Sequence, residues 1–423
     1  MTNKMKFRRL GVLVLVFALV AVACGDDDAT APEAGPLGQV AVASGEAIQI
    51  RSLNAITGDV AFLGIPNQRG VELAIADFGQ IAGHDVELGT GLDDLCSAEG
   101  GQAGAQTIVS DPQVVGVIGT SCSGAAASAS PLISEAGLVM VSASNTSPSL
   151  TSDLAGTAGE NYQPGYYRTA HNDLYQGAAV AEFVFNELGL TNAAAIHDGD
   201  PYTDGLATAF ADAFIALGGT ISVYTAVNKG DTDMVPVLTE VATGAPDFLF
   251  FPIFMPEAGF IVQQIGGIEG LGDAVILASA DGTIAPNFME LPEAEGVYHS
   301  GPDLRYGENG NSHTGQTADG FLADYEAAYG EGPTAPFWAH SYDATTMLLT
   351  AIAAVAVDVD GTLYIDRADL RAELNGTSFD GIIGSITCDE FGDCGSQKIS
   401  IILNESPDDY ETASANVVYG YTP

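Results

Sequence analysis

Short apolar runs alternate with stretches of helical periodicity, and the alternation occurs twice along the chain. From residue 47 to 142, strand patterns at 47–52, 85–88, 114–118 and 138–142 enclose helical patterns at 66–77 and 97–110. After Tyr166-Tyr167-Arg168-Thr169 the cycle restarts. Helices over 174–188, 203–217, 232–243 and 257–266 separate strands at 193–197, 220–227, 247–252 and 274–279. Such alternation lays strands side by side in parallel, with the connecting helices covering both faces. Two cycles therefore predict an α/β chain of two doubly wound parallel-sheet lobes facing each other across a cleft. Helices at 315–329, 335–356 and 367–374 are assigned to the first lobe, and strands at 382–387 and 398–403 to the second. Lobe 1 then comprises 46–170 and 302–376, and lobe 2 comprises 171–301 and 377–423, joined by a three-segment hinge that bends without swivelling freely.

The first 23 residues read as a signal peptide: Lys4, Lys6, Arg8 and Arg9 precede an apolar run from Leu10 to Ala23 that is too short to remain as a membrane span. The junction Ala21-Val22-Ala23-Cys24-Gly25 is similar to a bacterial lipoprotein box, with Ala21 where leucine is commoner. A diacylglycerol on the Cys24 thiol would tie the mature chain to the outer face of a membrane. The alternative is a cysteine that falls at the junction by chance. Residues 24–45, with Asp26, Asp27 and Asp28 and little to bury, read as a flexible tether.

Charge narrows the partners. Four of the twelve basic residues lie in the signal peptide, which leaves eight against fifty-five acidic ones. Such a field repels nucleic acid and anionic surfaces and argues against a phosphate-binding role. Few carboxylates can find a cation within the chain, which suits a protein working in salt, where screening weakens the self-repulsion.

Five cysteines are an odd number for an oxidising compartment. With Cys24 assigned to lipid, Cys96 and Cys122, each after a strand pattern, and Cys388 and Cys394, flanking Asp389-Glu390-Phe391-Gly392-Asp393, could form two disulfides. Free buried thiols are the other reading.

Polar loops stand beyond the carboxyl ends of the predicted strands, where open α/β sheets bind ligands. Gly119-Thr120-Ser121-Cys122-Ser123-Gly124 runs from a strand into a helix and offers hydroxyls and free amides to a carboxylate, or a plain N-cap at Ser123. As a nucleophile turn it fails, because Ser123 stands where Gly-x-Ser-x-Gly needs its second glycine. Pro131 should kink the following helix or delay its start. Ser142-Ala143-Ser144-Asn145-Thr146-Ser147-Pro148 concentrates hydroxyl and amide side chains, either for a turn or for a small polar ligand. Tyr202, in the passage Ile196 to Gly205, brings a ring and a hydroxyl to the cleft. Phe254-Met255-Pro256-Glu257 and Ala280-Asp281-Gly282 complete the set, with Asp281 as a counter-ion for an ammonium. His197 has no second ligand at metal spacing, and Asp358-Val359-Asp360-Gly361 fails as a calcium loop because its first and last ligand positions would be Ala356 and Arg367. No metal or cofactor is expected.

In order and spacing these stretches resemble the type I periplasmic binding proteins, specifically the branched-chain amino acid receptors of ABC transporters, over about residues 46–423. The likeness rests on Ile56-Thr57-Gly58-Asp59-Val60-Ala61-Phe62-Leu63-Gly64 with Arg69-Gly70-Val71-Glu72-Leu73-Ala74 and on the pair Cys96 and Cys122. It continues in Ile196-His197-Asp198 with Tyr202 and Gly205-Leu206, and in Pro256-Glu257-Ala258-Gly259. The resemblance implies a disulfide between Cys96 and Cys122. It also implies that Ser123 and amides of the Ser144 loop hold a ligand carboxylate, and that the Ser144 carbonyl, Thr146 hydroxyl and Asp281 bind its ammonium. Tyr202 and Phe254 would close from the second lobe. Leu63 stands where the family often has a large aromatic wall, Phe254 where tyrosine is usual, and Ser144 and Asn145 replace smaller residues.

The expected function is an extracytoplasmic, lipid-anchored, monomeric receptor that binds a small zwitterion, an amino acid of the branched-chain type, and delivers it to a membrane permease. Within the same fold the alternative is a receptor or sensor for an amide, urea or another small polar solute. A secreted hydrolase lacks a base placed beside a nucleophile, and a structural envelope protein has no use for polar loops facing a cleft.

Overall fold

A computed structural model of the chain describes residues 31–423. The signal peptide and Cys24 lie outside the described residues.

Two sheets dominate. The first is parallel, in the order Val86–Glu87, Ile48–Asn54, Val114–Gly119, Val139–Ser142, Tyr166–Arg168, with Leu92–Asp93 pairing the far end of Ile48–Asn54. Its central strands, VVGVIG and VMVS, are buried along their whole length, as strands covered on both faces must be. Helices Ala98–Val109 and Ser123–Glu135 cover one face, and Ala61–Phe78 and Trp338–Val355 the other. The second sheet has seven strands in the order Val417–Tyr421, Ile399–Leu403, Tyr298–Pro302, Ile276–Ser279, Phe248–Phe250, Asn192–His197, Thr220–Ala226. Its first two are antiparallel additions at one edge. Helices Asp173–Glu182 and Pro201–Leu217 pack on one side, Val235–Thr243 and Glu257–Ile265 on the other. The chain passes between the sheets after Tyr166–Arg168, after Tyr298–Pro302 and before Ile399–Leu403.

Three local expectations change. The strand pattern at 382–387 is half of a separate hairpin, Ser378–Gly381 with Gly384–Thr387, and does not join the second sheet. Ile382, Ile383 and Ile386 are buried in the first lobe's core with Trp338, Tyr342 and Leu348, so the stretch 377–387 belongs with the first lobe. Asp343, on helix Trp338–Val355, fixes the hairpin by accepting the amides of Ile382 (3.1 Å) and Ile383 (2.9 Å) and the Asn311 side chain (2.8 Å). A Cβ at Gly381 would collide with that carboxylate, which accounts for the glycine.

The tether also ends earlier than expected. Gln39–Val42 is a strand antiparallel to Thr362–Asp366, and the alternation of Val40 and Val42 sends both side chains into the first core. Finally, helix Ser123–Glu135 runs through Pro131 and forgoes one hydrogen bond there. Both disulfides, Cys96–Cys122 and Cys388–Cys394, are present.

Because Asp343 is fully buried and satisfies three donors, Asp343→Ala should cost about 2–4 kcal/mol in denaturant unfolding. A loss below about 0.5 kcal/mol would show that the hairpin docks by its isoleucines alone.

Candidate ligand-binding site

The carboxyl ends of both sheets face one cleft, and its walls are built from the loops that leave those strands. Val114–Gly119 ends at a glycine with φ 134°, where a Cβ would overlap the Leu53 carbonyl. That close approach turns the chain into Thr120–Ser123. Asp94 holds the turn: its carboxylate accepts the amides of Ser121 (2.6 Å) and Cys96 (2.7 Å), beside the Cys96–Cys122 disulfide. Burial pushes the Asp94 carboxyl up to about 7 despite those bonds. Cys122, not Ser123, occupies the N-cap position, so Ser123 is the first helical residue and its hydroxyl accepts the Ser147 amide at 3.3 Å. Amides in the first turn of such a helix have no intrahelical carbonyl to meet.

The next loop is held from below and behind. Ser142 Oγ donates to the Thr120 carbonyl (2.9 Å) and accepts the Asn145 amide (3.0 Å). Ser144 Oγ donates to the Ser121 carbonyl (2.9 Å) and accepts from Asn67 Nδ2 (3.0 Å). Arg168 Nη1 donates to the Asn145 carbonyl (3.1 Å) and the Ser147 carbonyl (2.8 Å), one on each side of Thr146. Nη2 reaches Thr151 Oγ1 (2.7 Å), and Nε is paired with Asp393, the residue before Cys394. Thr146 is thereby immobilised, yet its own Oγ1 is buried without a hydrogen-bond partner.

The opposite wall is made by the second sheet. Asp200 caps helix Pro201–Leu217 through the Tyr202 amide (3.0 Å), which sets the Tyr202 ring against Phe254, with centroids 5.1 Å apart. Tyr202 donates its hydroxyl to Asp281 Oδ1 (3.2 Å), and Gln176 Nε2 donates to the same oxygen (2.9 Å). Because Gln176 uses its amide nitrogen this way, its oxygen accepts from His171 Nε2, leaving His171 as the neutral Nε2–H tautomer. Burial, which pulls His171 down to about 4, agrees with the neutral form. Leu63 packs into one apolar cluster with Tyr202, Phe254 and Phe337.

All seven residues singled out in the sequence thus meet between the sheets, and each is under a tenth exposed. The lobes touch: a Cβ at Gly124 on the first would overlap Asp200 Oδ2 on the second. A cavity of about 380 Å³ at the mouth is bounded from both sides, by Gly58, Asp59 and Leu95 and by Asp198, Lys229 and Phe254. Among the described residues no group of three or more His, Cys, Asp or Glu side chains is placed to hold a metal ion.

Three further residues at the cleft escaped the sequence reading: Arg168, Gln176 and Asp173. Asp173 is fully buried, its amide donates to the Thr146 carbonyl (3.0 Å), and neither carboxyl oxygen has a partner. The Thr146 hydroxyl is near enough to ease its charge but not in hydrogen-bonding geometry. Burial and then Asp281 raise the Asp173 carboxyl well above the usual range, and Arg168 partly opposes this. The signal for it was Asn172, an N-cap immediately before a first-turn aspartate; starting the helix at 174 hid the pair.

Asp281 is raised by burial from 3.8 to about 6, against the hydrogen bonds from Gln176 and Tyr202. Between those values the native state keeps a proton that the unfolded chain has lost. The contribution of this group to stability is therefore complete below 3.8 and is lost as pH rises through about 6. Asp281→Asn keeps the oxygen that accepts both bonds and removes the titration. The ligand-free protein should lose melting temperature relative to Asp281→Asn as pH is raised from about 4 to about 7. A constant difference across that range would contradict the assignment.

A family model described as periplasmic binding protein matches residues 47–395. The leucine-specific-binding protein of Salmonella typhimurium is 27% identical over 361 residues, covering 82% of this chain and 88% of that protein. Among solved structures, the leucine binding protein LivK from Thermotoga maritima superposes with a TM-score of 0.74 at 25% identity, covering 89% of this chain and 99% of that one. A type 1 periplasmic binding protein from Bordetella pertussis superposes with a TM-score of 0.71 at 20% identity, covering 85% and 96%. The chain belongs to the periplasmic binding protein family, and its two sheets with their shared cleft are the type I form of that fold.

Proposed function

We propose that this chain is the extracytoplasmic solute receptor of an ABC transporter, taking an α-amino acid into the interlobe cleft and handing it to a membrane permease. The observation that carries the reading is the division of labour across the cleft. One wall presents hydroxyls and helix-start amides at Ser123, Ser144 and Thr146; the other presents a buried carboxylate at Asp281, steadied by Tyr202. An α-amino acid has the complementary ends. Ser123, the first-turn amides of its helix and the Ser144 loop take the carboxylate. The Ser144 carbonyl, Thr146 Oγ1 and Asp281 take the ammonium. Leu63, Tyr202 and Phe254 enclose the remainder, and closure of the lobes completes the contacts. The leucine-binding relatives support an amino acid as the class of solute.

Binding without turnover suits this arrangement. Among the described residues no histidine is hydrogen-bonded to a serine or cysteine, and the Ser123 hydroxyl is engaged by the Ser147 amide.

Retention at the membrane through a lipid on Cys24 fits the same role. Since Gly35 is already tied to Asp366 (2.6 Å) and Gln39 opens a core strand, the spacer from Cys24 reaches about 40 Å at most when fully extended. The receptor works as a monomer on this reading, with one cleft per chain.

A thermal-shift screen of the chain from residue 25 against amino acids, amides, urea and small peptides tests the proposal. An amino acid at about 100 times its Kd should add about 2.7 kcal/mol to stability, and Asp281→Ala should abolish the shift while the unliganded fold persists. A neutral amide or urea that gives the largest shift and ignores the mutation would sink the amino acid reading.

A further inference from the structure

Helix Pro201–Leu217 of the second lobe packs across the cleft on helix Ser123–Glu135 and on the turn Pro148–Leu150 of the first. A glycine stands at each contact. At Gly205 the seam has room for a small side chain, because a Cβ would lie 3.4 Å from Ser147 Oγ and from Pro148 Cδ. At Gly124 there is no room, and a Cβ would overlap Asp200 Oδ2.

Asp200 is not free to step aside. It is 8% exposed, its Oδ1 accepts the Tyr202 amide (3.0 Å) and its Oδ2 accepts Lys229 Nζ (2.9 Å). The carboxylate held in this way lies against the first turn of the opposite lobe's helix, where unpaired amides and the helix dipole favour a negative charge. Nothing within the first lobe asks for a glycine at position 124. The residue is helical, its φ is not positive, and the three atoms nearest to a Cβ there all belong to Asp200. Alanine suits a helix better than glycine does. The side chain is thus excluded by the other lobe alone, and only when the lobes are together.

We propose that Gly124 and Asp200 form the closure seat of this receptor: the bare backbone at 124 receives the Asp200 carboxylate fixed by Lys229, and this fit sets how far the lobes can close. Both are positioning residues. They act on a solute through the population of closed molecules, since a solute that needs the closed cleft binds more weakly in proportion as that population falls. The inference rests on the reading of the cleft as a site that shuts on its solute, and not on which solute it takes.

Trapping the closed form with an engineered disulfide tests the seat without any solute. In the chain from residue 25, Ser147→Cys with Gly205→Cys sets two thiols across the seam at bridging distance, and diamide should couple them. Thiols left uncoupled are counted by mass spectrometry after alkylation. Gly124→Ala in that background should slow the coupling about tenfold or more. Adding Asp200→Ser, which removes the carboxylate but keeps a helix cap, should restore most of the rate. Equal rates with and without Gly124→Ala would overturn the inference, as would slowed coupling that Asp200→Ser leaves slow. A background that never couples would also overturn it, because the seam would not then form. Should Gly124→Ala prevent folding, Asp200→Ser is expected to restore it, and a double variant that stays unfolded counts against the seat. None of these outcomes bears on the amino acid reading, which stands or falls by the thermal-shift screen.

Discussion

The Arg168 guanidinium has no access to solvent, and the geometry of the cleft hangs on it. Burial works against its charge, but the carboxylate of Asp393 more than compensates, so it stays charged. Its partner comes from the loop closed by Cys388–Cys394, whose backbone also pairs with Arg168: the Arg168 amide donates to Gly392 (2.9 Å) and the Cys394 amide donates to Arg168 (3.0 Å). The first and last passages of the chain between the lobes are thus joined at one residue. The remaining donors of the same guanidinium fix the loop that carries Ser144 and Thr146. Removing one partner of such a pair leaves a buried charge alone and typically costs about 3–5 kcal/mol. The two lobes and the site between them therefore share one electrostatic anchor.

That anchor was missed in the sequence, where Tyr166-Tyr167-Arg168-Thr169 marked only the restart of the α/β cycle. A buried arginine needs a carboxylate, but nothing local shows that this one is buried. Which of fifty-five acidic residues it takes is set by the path of the chain between residues 387 and 398, and no periodicity encodes that path. The parallel sheets were legible for the opposite reason: runs such as VVGVIG and FLF are apolar on both faces and admit few other homes. The hairpin at 378–387 was misplaced because its docking depends on a single carboxylate, Asp343, reaching two backbone amides. The strand at 39–42 was missed because an acidic, glycine-rich lead-in hid two alternating valines.

The candidate site shows the same division. Ser123, Ser144, Thr146, Tyr202, Phe254 and Asp281 each follow a strand end, so topology alone brings them together. Asp173 follows a strand too, but it lies at the passage between the lobes, where its amide meets Thr146 of one wall and its carboxyl is within electrostatic reach of Asp281 of the other. A residue that belongs to both walls becomes apparent only once the lobes are placed.

The central claim is that the closed lobes hold the positive end of an amine-bearing solute between the Ser144 carbonyl, Thr146 and Asp281. A crystal structure of the chain from residue 25 with its tightest-binding solute tests this most directly. The account predicts a solute nitrogen within hydrogen-bonding distance of Thr146 Oγ1 and of the Asp281 carboxylate. A solute lying with its carboxylate or an apolar group at that point, or bound outside the cleft, would contradict it.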